Sequence, residues 1–359
     1  LNDTIRALLA AGRQQGIFSG AAAGIATETD TLTVVEGYPR ASAEDPLEAG
    51  DWFDLASLTK PLATTLAVAD LASRGLLRFD DRLVDLFDEP LEPPKDEITV
   101  AMLLEHTAGF PAWRPYFEDL RELPWSERRR RFLDHLLTES LESIPGRTTR
   151  YSDLGFMLLG VIVERVGGMD LDAYVATRIY EPLGLDLFFN RTGPTKTIRP
   201  GRYVATSRCA WRQRLLIGEV HDDNAWAVGG VAGHAGLFGT IGAVTELVRH
   251  LLVAWTQGSS LAAIKAEVVA QLCNHAGPAG SNRALGFDRP DTKNSAAGSH
   301  FPRAAVGHLG FTGTSFWIDP DRRLGVVLLT NRVHMGDDPE PIRRFRPWFH
   351  DRVLEFITA

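Results

Sequence analysis

The chain has 359 residues, 44% hydrophobic and 23% charged, enough to bury a substantial core as one large or two interlocked domains. Its formal charge of −8 argues against a general nucleic-acid binder or a protein held to anionic membranes. Two cysteines, Cys209 and Cys273, cannot form a zinc site by themselves, and the longest apolar runs, such as 156–163, are far too short to span a bilayer. No leader-like segment opens the numbered chain, which leaves the compartment open between cytoplasm and periplasm.

In chain order, the first element is a helix over 2–13, ended near Gly16, followed by short strands at 21–27 and 32–36. Residues 57–74 read as one long, largely buried helix. The pattern stays helical through 100–105, 126–137, 153–166, 170–180, 243–255 and 262–272. The run Arg128 to Arg131 sits among Glu122, Glu127 and Asp134, with Glu127 four residues before Arg131. It reads as a solvated, salt-bridged helix face and not as a binding patch. Strand-like segments at 314–319 and 324–329 and an amphipathic helix over 342–357 close the chain.

A two-stranded hairpin is marginal alone, so the N-terminal strands are expected to pair with the C-terminal ones. The expected fold is α/β (α+β): an antiparallel sheet built from both chain ends and flanked by terminal helices, plus a mostly helical lobe. The division is placed at 1–56 with 280–359 for the sheet and 57–279 for the helices, with the site in the cleft between them.

The chemistry starts at Ser57-Leu58-Thr59-Lys60. Positions i and i+3 share a helix face, so the Lys60 amine can sit against the Ser57 hydroxyl and take its proton or stabilise the alkoxide. The Ser57 backbone N–H, at the helix start, points where an oxyanion would develop. With fifteen serines and five lysines among 359 residues, chance gives about 0.2 such pairs. Tyr151-Ser152-Asp153 opens an apolar helix, where a phenol can reach a cleft and a flanking cation such as Lys60 is expected to lower its pKa. Asp153 doubles as an N-cap. His308-Leu309-Gly310-Phe311 precedes a strand, and the glycine marks a close backbone approach. The Phe311 N–H is the second oxyanion candidate.

Taken together these segments resemble the serine β-lactamase and penicillin-binding protein superfamily, most closely its class C β-lactamase-like branch of esterases and D-amino-acid peptidases. Residues 53–60 resemble the nucleophile segment, and 103–111 (Leu-Leu-Glu-His-Thr-Ala-Gly-Phe-Pro) the L-L-x-H-T-S-G-L-P loop. Tyr151-Ser152-Asp153 resembles Y-x-N, and His308-Leu309-Gly310 resembles K-T-G. The resemblance spans nearly the whole chain and implies that Ser57 is acylated, Lys60 activates it and Tyr151 is the general base and acid. Asp153, His308, Leu309 and Gly310 would meet a small-molecule or short-peptide substrate; no cofactor or metal is implied. Three positions depart from the pattern: Asp153 replaces an asparagine and is free to pair with Lys60, His308 replaces a lysine, and Leu309 replaces the hydroxyl residue beside it.

Arg191-Thr192-Gly193 is closer to K-T-G in residue type but comes too early and reads as a turn. The glycine-dense stretch 229–239 lacks a phosphate-loop context and is expected to line or buttress the cleft, with His234 a candidate site residue. His106 is expected to hydrogen-bond loop backbone, and His221-Asp222-Asp223 to be a structural loop and not a metal site. The expected function is a serine hydrolase acting through an acyl-enzyme on esters or amides. A β-lactamase or D-amino-acid carboxypeptidase is the alternative within that class, and a penicillin-binding sensor without turnover is the alternative outside it.

Overall fold

The computed structural model describes residues 1–278 and 280–358. Helix α1 (Asn2–Gln14) leads into β1 (Gly20–Ala26) and β2 (Thr31–Gly37). After β3 (Phe53–Asp54) comes a helical run made of a 3-10 turn (Ala56–Leu58), a π segment (Lys60–Thr65) and α2 (Leu66–Ser73). Further along lie α3 (Asp153–Gly167), β4 (Leu187–Phe189), β5 (Leu237–Gly239) and α4 (Ile241–Gln257). The chain ends with β6 (Val306–Leu309), β7 (Ser315–Asp319), β8 (Leu324–Thr330) and α5 (Glu340–Thr358).

Strands from both chain ends form a five-stranded antiparallel sheet in the order β2-β1-β8-β7-β6. Ala23 stands opposite Leu328 on one side and Val34 on the other. Successive side chains leave a strand on opposite faces. Ala21, Ala23, Val326 and Leu328 therefore enter one core with Ile5 and Leu9 of α1 and Phe345 and Phe349 of α5. Ala22, Val327 and Leu329 enter the other with Val244, Leu247 and Val248 of α4 and the helical middle. Covering both faces explains why 324–329 is apolar without alternation. Helix α4, which the sequence places in the helical middle, thus packs on the sheet itself.

A second sheet, β3-β5-β4, pairs Asp54 and Phe188 with Phe238. It anchors the entry to Ser57 beside the glycine-dense stretch. A Cβ on Gly233 would lie 2.0 Å from the Phe156 carbonyl oxygen and 2.8 Å from the Gly160 nitrogen, so this loop and α3 meet backbone to backbone.

Two expectations change. The run 57–74 is not uniform helix, because Ala56 enters it with φ of 49° and Pro61 offers no N–H. The arginine run is not simply a solvated face. Arg128 is buried, with its guanidinium 3.8 Å over the Trp125 ring and bonds of 3.0 and 2.9 Å to the carbonyls of Leu123 and Arg121. Arg131 pairs with Asp119 at 2.8 Å and not with Glu127. Among the described residues no helix is long and apolar enough to cross a membrane.

Candidate active site

The 3-10 turn and π segment place Ser57 and Lys60 together: Lys60 Nζ donates to Ser57 Oγ at 2.9 Å. The ammonium is fully buried, lies 2.7 Å from Asp153 Oδ1 and donates to the His234 carbonyl at 3.2 Å. It also sits 4.9 Å from the centre of the Tyr151 ring. Burial alone would pull Lys60 down, but the Asp153 carboxylate and Tyr151 outweigh it and hold the amine above its ordinary value.

Tyr151 moves opposite to expectation. Burial raises its phenol, Asp153 adds to the rise, and the nearby Lys60 charge offsets them only in part. The resting cluster near neutral pH is therefore an ammonium and a phenol beside the Asp153 carboxyl. The Tyr151 ring rests 4.6 Å from that of His106 and 6.0 Å from that of His308, with the Arg283 guanidinium 5.6 Å above it. His106, with φ of 60°, accepts the Ser152 N–H on Nδ1 at 3.1 Å, the loop-backbone bond its position suggested. Burial holds it well below the usual imidazole range, and so neutral.

Residues 310–314 turn back over the strand that leads to Ser57. Thr312 Oγ1 donates to the Asp54 carbonyl at 2.9 Å and Thr314 Oγ1 to that of Leu55 at 3.1 Å. A Cβ on Gly310 would come within 2.8 Å of the Leu55 carbonyl oxygen, so only glycine fits there. Backbone bonding within the turn leaves the Phe311 N–H without a partner among the described residues, while the Phe311 ring is 58% exposed. His308 is buried, and its Nδ1 lies 2.8 Å from the Leu309 carbonyl oxygen. That contact assigns the proton to Nδ1 and leaves Nε2 a buried, unpaired acceptor. Burial and the Lys60 charge hold His308 well below the usual range.

Ser57, Tyr151, Asp153 and residues 308–311 all line one cavity of about 1670 Å³. Lys60 lies behind them, reached through its neighbours. The glycine-dense loop buttresses it: the Gly233 carbonyl accepts from Thr64 at 2.7 Å, and the His234 ring bonds Asp222 at 2.9 Å. His221 and Asp222 also line the cavity, yet no group of three metal-ligating side chains gathers among the described residues.

Sequence reasoning missed five arginines that line the cavity, Arg283, Arg332, Arg343, Arg344 and Arg346. Arg283 pairs with Asp288. Arg332 lies 4.3 Å over the Phe311 ring and donates to its carbonyl at 2.8 Å. Arg346 bonds the carbonyls of Gly310 and Thr314 at 2.5 and 2.9 Å, and burial lowers it to about 9. Neither Arg332 nor Arg346 forms a salt bridge among the described residues, although the charges of Asp337 and Asp338 offset part of the effect of burial on Arg332. No motif flags them, since lone arginines after a strand and within a charged helix look like surface residues.

The sheet built from both chain ends and the Ser57–Lys60–Tyr151 cluster define a serine-hydrolase architecture. The chain belongs to the serine β-lactamase and penicillin-binding protein superfamily: the Beta-lactamase family model matches residues 1–346. It is 33% identical over 315 residues to a putative D-alanyl-D-alanine carboxypeptidase of Escherichia coli (strain K12), covering 81% of this chain and 72% of that protein. It is 34% identical over 312 residues to an N-acetylmuramyl-L-alanine amidase of Bacillus subtilis (strain 168), covering 80% and 70%. In fold it is similar to the octameric penicillin-binding protein homologue from Pyrococcus abyssi (TM-score 0.74, 18% identity, 99% of this chain and 77% of that one). A second such structure is EstCE1, a hydrolase with promiscuous acyltransferase activity (TM-score 0.68, 21% identity, 96% and 98%).

Proposed function

We propose that the protein hydrolyses esters or amides of small molecules or short peptides through an acyl-enzyme on Ser57. The observation that carries this reading is the buried Lys60 ammonium, held between Ser57 Oγ at 2.9 Å and Asp153 at 2.7 Å. Ser57 Oγ attacks the acyl carbon while its proton passes to Lys60 and Tyr151 acting as one unit. The oxyanion forms against the backbone N–H groups of Ser57 and Phe311. Tyr151 returns the proton to the leaving group, and water then cleaves the acyl-enzyme by the reverse path. With the amine and phenol both protonated at rest, the base arises when this pair loses a proton, so the rate rises with pH. Asp153, His308, Leu309 and Gly310 line the substrate's path, and residues 1–56 with 280–359 and 57–279 supply the two walls.

A D-amino-acid carboxypeptidase is the second reading, favoured by Arg332 and Arg346, which face the cavity without a salt bridge among the described residues and suit a free carboxylate. A sensor that acylates without turnover is the rival of another class. Incubation with a fluorophosphonate followed by intact mass tests the nucleophile. Ser57→Ala is expected to abolish labelling and turnover with the fold intact, and retained labelling at another serine overturns the assignment. Product release from p-nitrophenyl butyrate and from a D-alanyl-D-alanine peptide separates enzyme from sensor.

A further inference from the structure

Asp54 lies three residues before Ser57, at the end of β3, and takes no part in the steps above. Its carboxylate is buried and joins two segments: Oδ1 accepts the Ala56 N–H at 2.8 Å and Oδ2 the His221 N–H at 2.6 Å. Its own carbonyl accepts from Thr312 Oγ1 at 2.9 Å. One residue thus ties the entry to Ser57, the His221 loop and the turn that carries Phe311. The last two also meet each other, with the His221 and Phe311 rings 5.5 Å apart.

The entry needs such a tie. Ala56 has φ of 49°, a left-handed conformation that its Cβ makes costly and that persists when the surroundings over-determine it. The N–H held by Asp54 belongs to that strained residue, one peptide before Ser57. We infer that Asp54 is the positioning residue of Ser57: by clamping the left-handed turn at Ala56 to the His221 loop, it fixes the hydroxyl against Lys60. This rests on Ser57 being the nucleophile, as proposed above.

The clamp is sensitive to pH. Burial raises the Asp54 carboxyl to about 6; the His221 and Ala56 N–H groups and Arg212 oppose that rise, and Asp222 adds to it. His221, the other titratable neighbour, is held below its usual range by burial. Above pH 6 both Asp54 oxygens accept. Below it one oxygen becomes a hydroxyl facing an N–H, and that bond is lost. Stability moves the other way. The folded carboxyl sits above its ordinary 3.8, so the folded chain takes the proton first, and Asp54 contributes more stability as pH falls from about 6 toward 3.8. A rate lost in that window is therefore not unfolding caused by this group.

The test measures kcat and KM for p-nitrophenyl butyrate from pH 5 to 8 in the wild type and Asp54→Asn, with thermal melting at each pH. The Lys60–Tyr151 pair already lowers the rate as pH falls, so Asp54 shows as a second titration: the wild type should stay folded while the slope of log kcat against pH steepens below pH 6, reaching at pH 5 about a tenth of the value that the slope above pH 7 extrapolates to. Asp54→Asn keeps one acceptor oxygen and turns an amide N–H₂ toward the other N–H. It should lose about ten- to a hundredfold in kcat at pH 7, with KM within about threefold and no steepening near pH 6. Wild-type kcat in the variant, or the same steepening below pH 6 in both proteins, overturns the inference. If the variant does not fold, the wild-type profile decides alone: a folded enzyme whose log kcat does not steepen below pH 6 overturns it. Failure of the Ser57 reading looks different, as fluorophosphonate labelling that survives Ser57→Ala.

Discussion

Asp153 puts a carboxylate where a neutral amide would leave Lys60 to the consequences of its burial. The carboxylate raises both members of the proposed base, Lys60 and Tyr151, and so holds on the cluster the proton that must leave before Ser57 is activated. Asp153→Asn should therefore move the rising limb of kcat/KM to lower pH, read from a pH profile with a neutral ester. An unmoved limb contradicts the role given to Asp153. The sign for stability follows from the same shift. Lys60, raised in the fold, contributes stability that is complete below its unfolded value and lost as pH climbs through the folded one. The wild type should thus lose more melting temperature as pH climbs above 10.5, the ordinary lysine value, than Asp153→Asn does.

Backbone contacts at the level of elements hold this cluster in place, and they were the least legible part of the sequence. Gly233 must approach Phe156 and Gly160 of α3, and its neighbour His234 supplies the carbonyl that receives Lys60. A methyl at 233 would meet backbone on both sides, so Gly233→Ala should destabilise by about 3 kcal/mol, the upper range for overpacking. A denaturant midpoint within experimental error of the wild type would show that the two segments separate freely. The long elements were readable because their apolar spacing repeats: α1, α3, α4, α5 and β8 fall within a few residues of expectation. The small sheet was not, because strands of two or three residues carry too few positions to display a period. The left-handed entry at Ala56 has no residue-type signature at all, since alanine marks helix and not turn. Ser57 and Lys60 were legible from local spacing, whereas Tyr151 and His308 were recognised through the family pattern. Arg346 was hidden because in α5 it repeats the look of Arg343 and Arg344, and tertiary placement alone buries it against Gly310 and Thr314.

For the molecule as a whole, a formal charge of −8 disfavours the approach of anions, while Arg332 and Arg346, in no salt bridge among the described residues, invite one into the cavity. The two effects act over different distances. Repulsion by the overall charge is long-ranged and is screened within about 10 Å at 0.1 M salt, whereas a contact with a buried guanidinium is screened much less. A substrate carboxylate that reaches this wall therefore gains a charge-assisted hydrogen bond of about 1.5–3 kcal/mol, equivalent to ten- to a hundredfold in binding, at low and high salt alike. Arg332 is the arginine to test, because removing Arg346 would also release the Gly310 and Thr314 carbonyls. Arg332→Gln should raise KM for a peptide ending in a free D-alanyl carboxylate by about tenfold or more, at 0.05 and at 0.5 M sodium chloride. The same variant should leave KM for p-nitrophenyl butyrate within about twofold, since a neutral ester presents no charge to the guanidinium. Equal losses for both substrates would instead assign Arg332 to holding the Phe311 carbonyl and its turn, and would remove the support it gives to the carboxypeptidase reading.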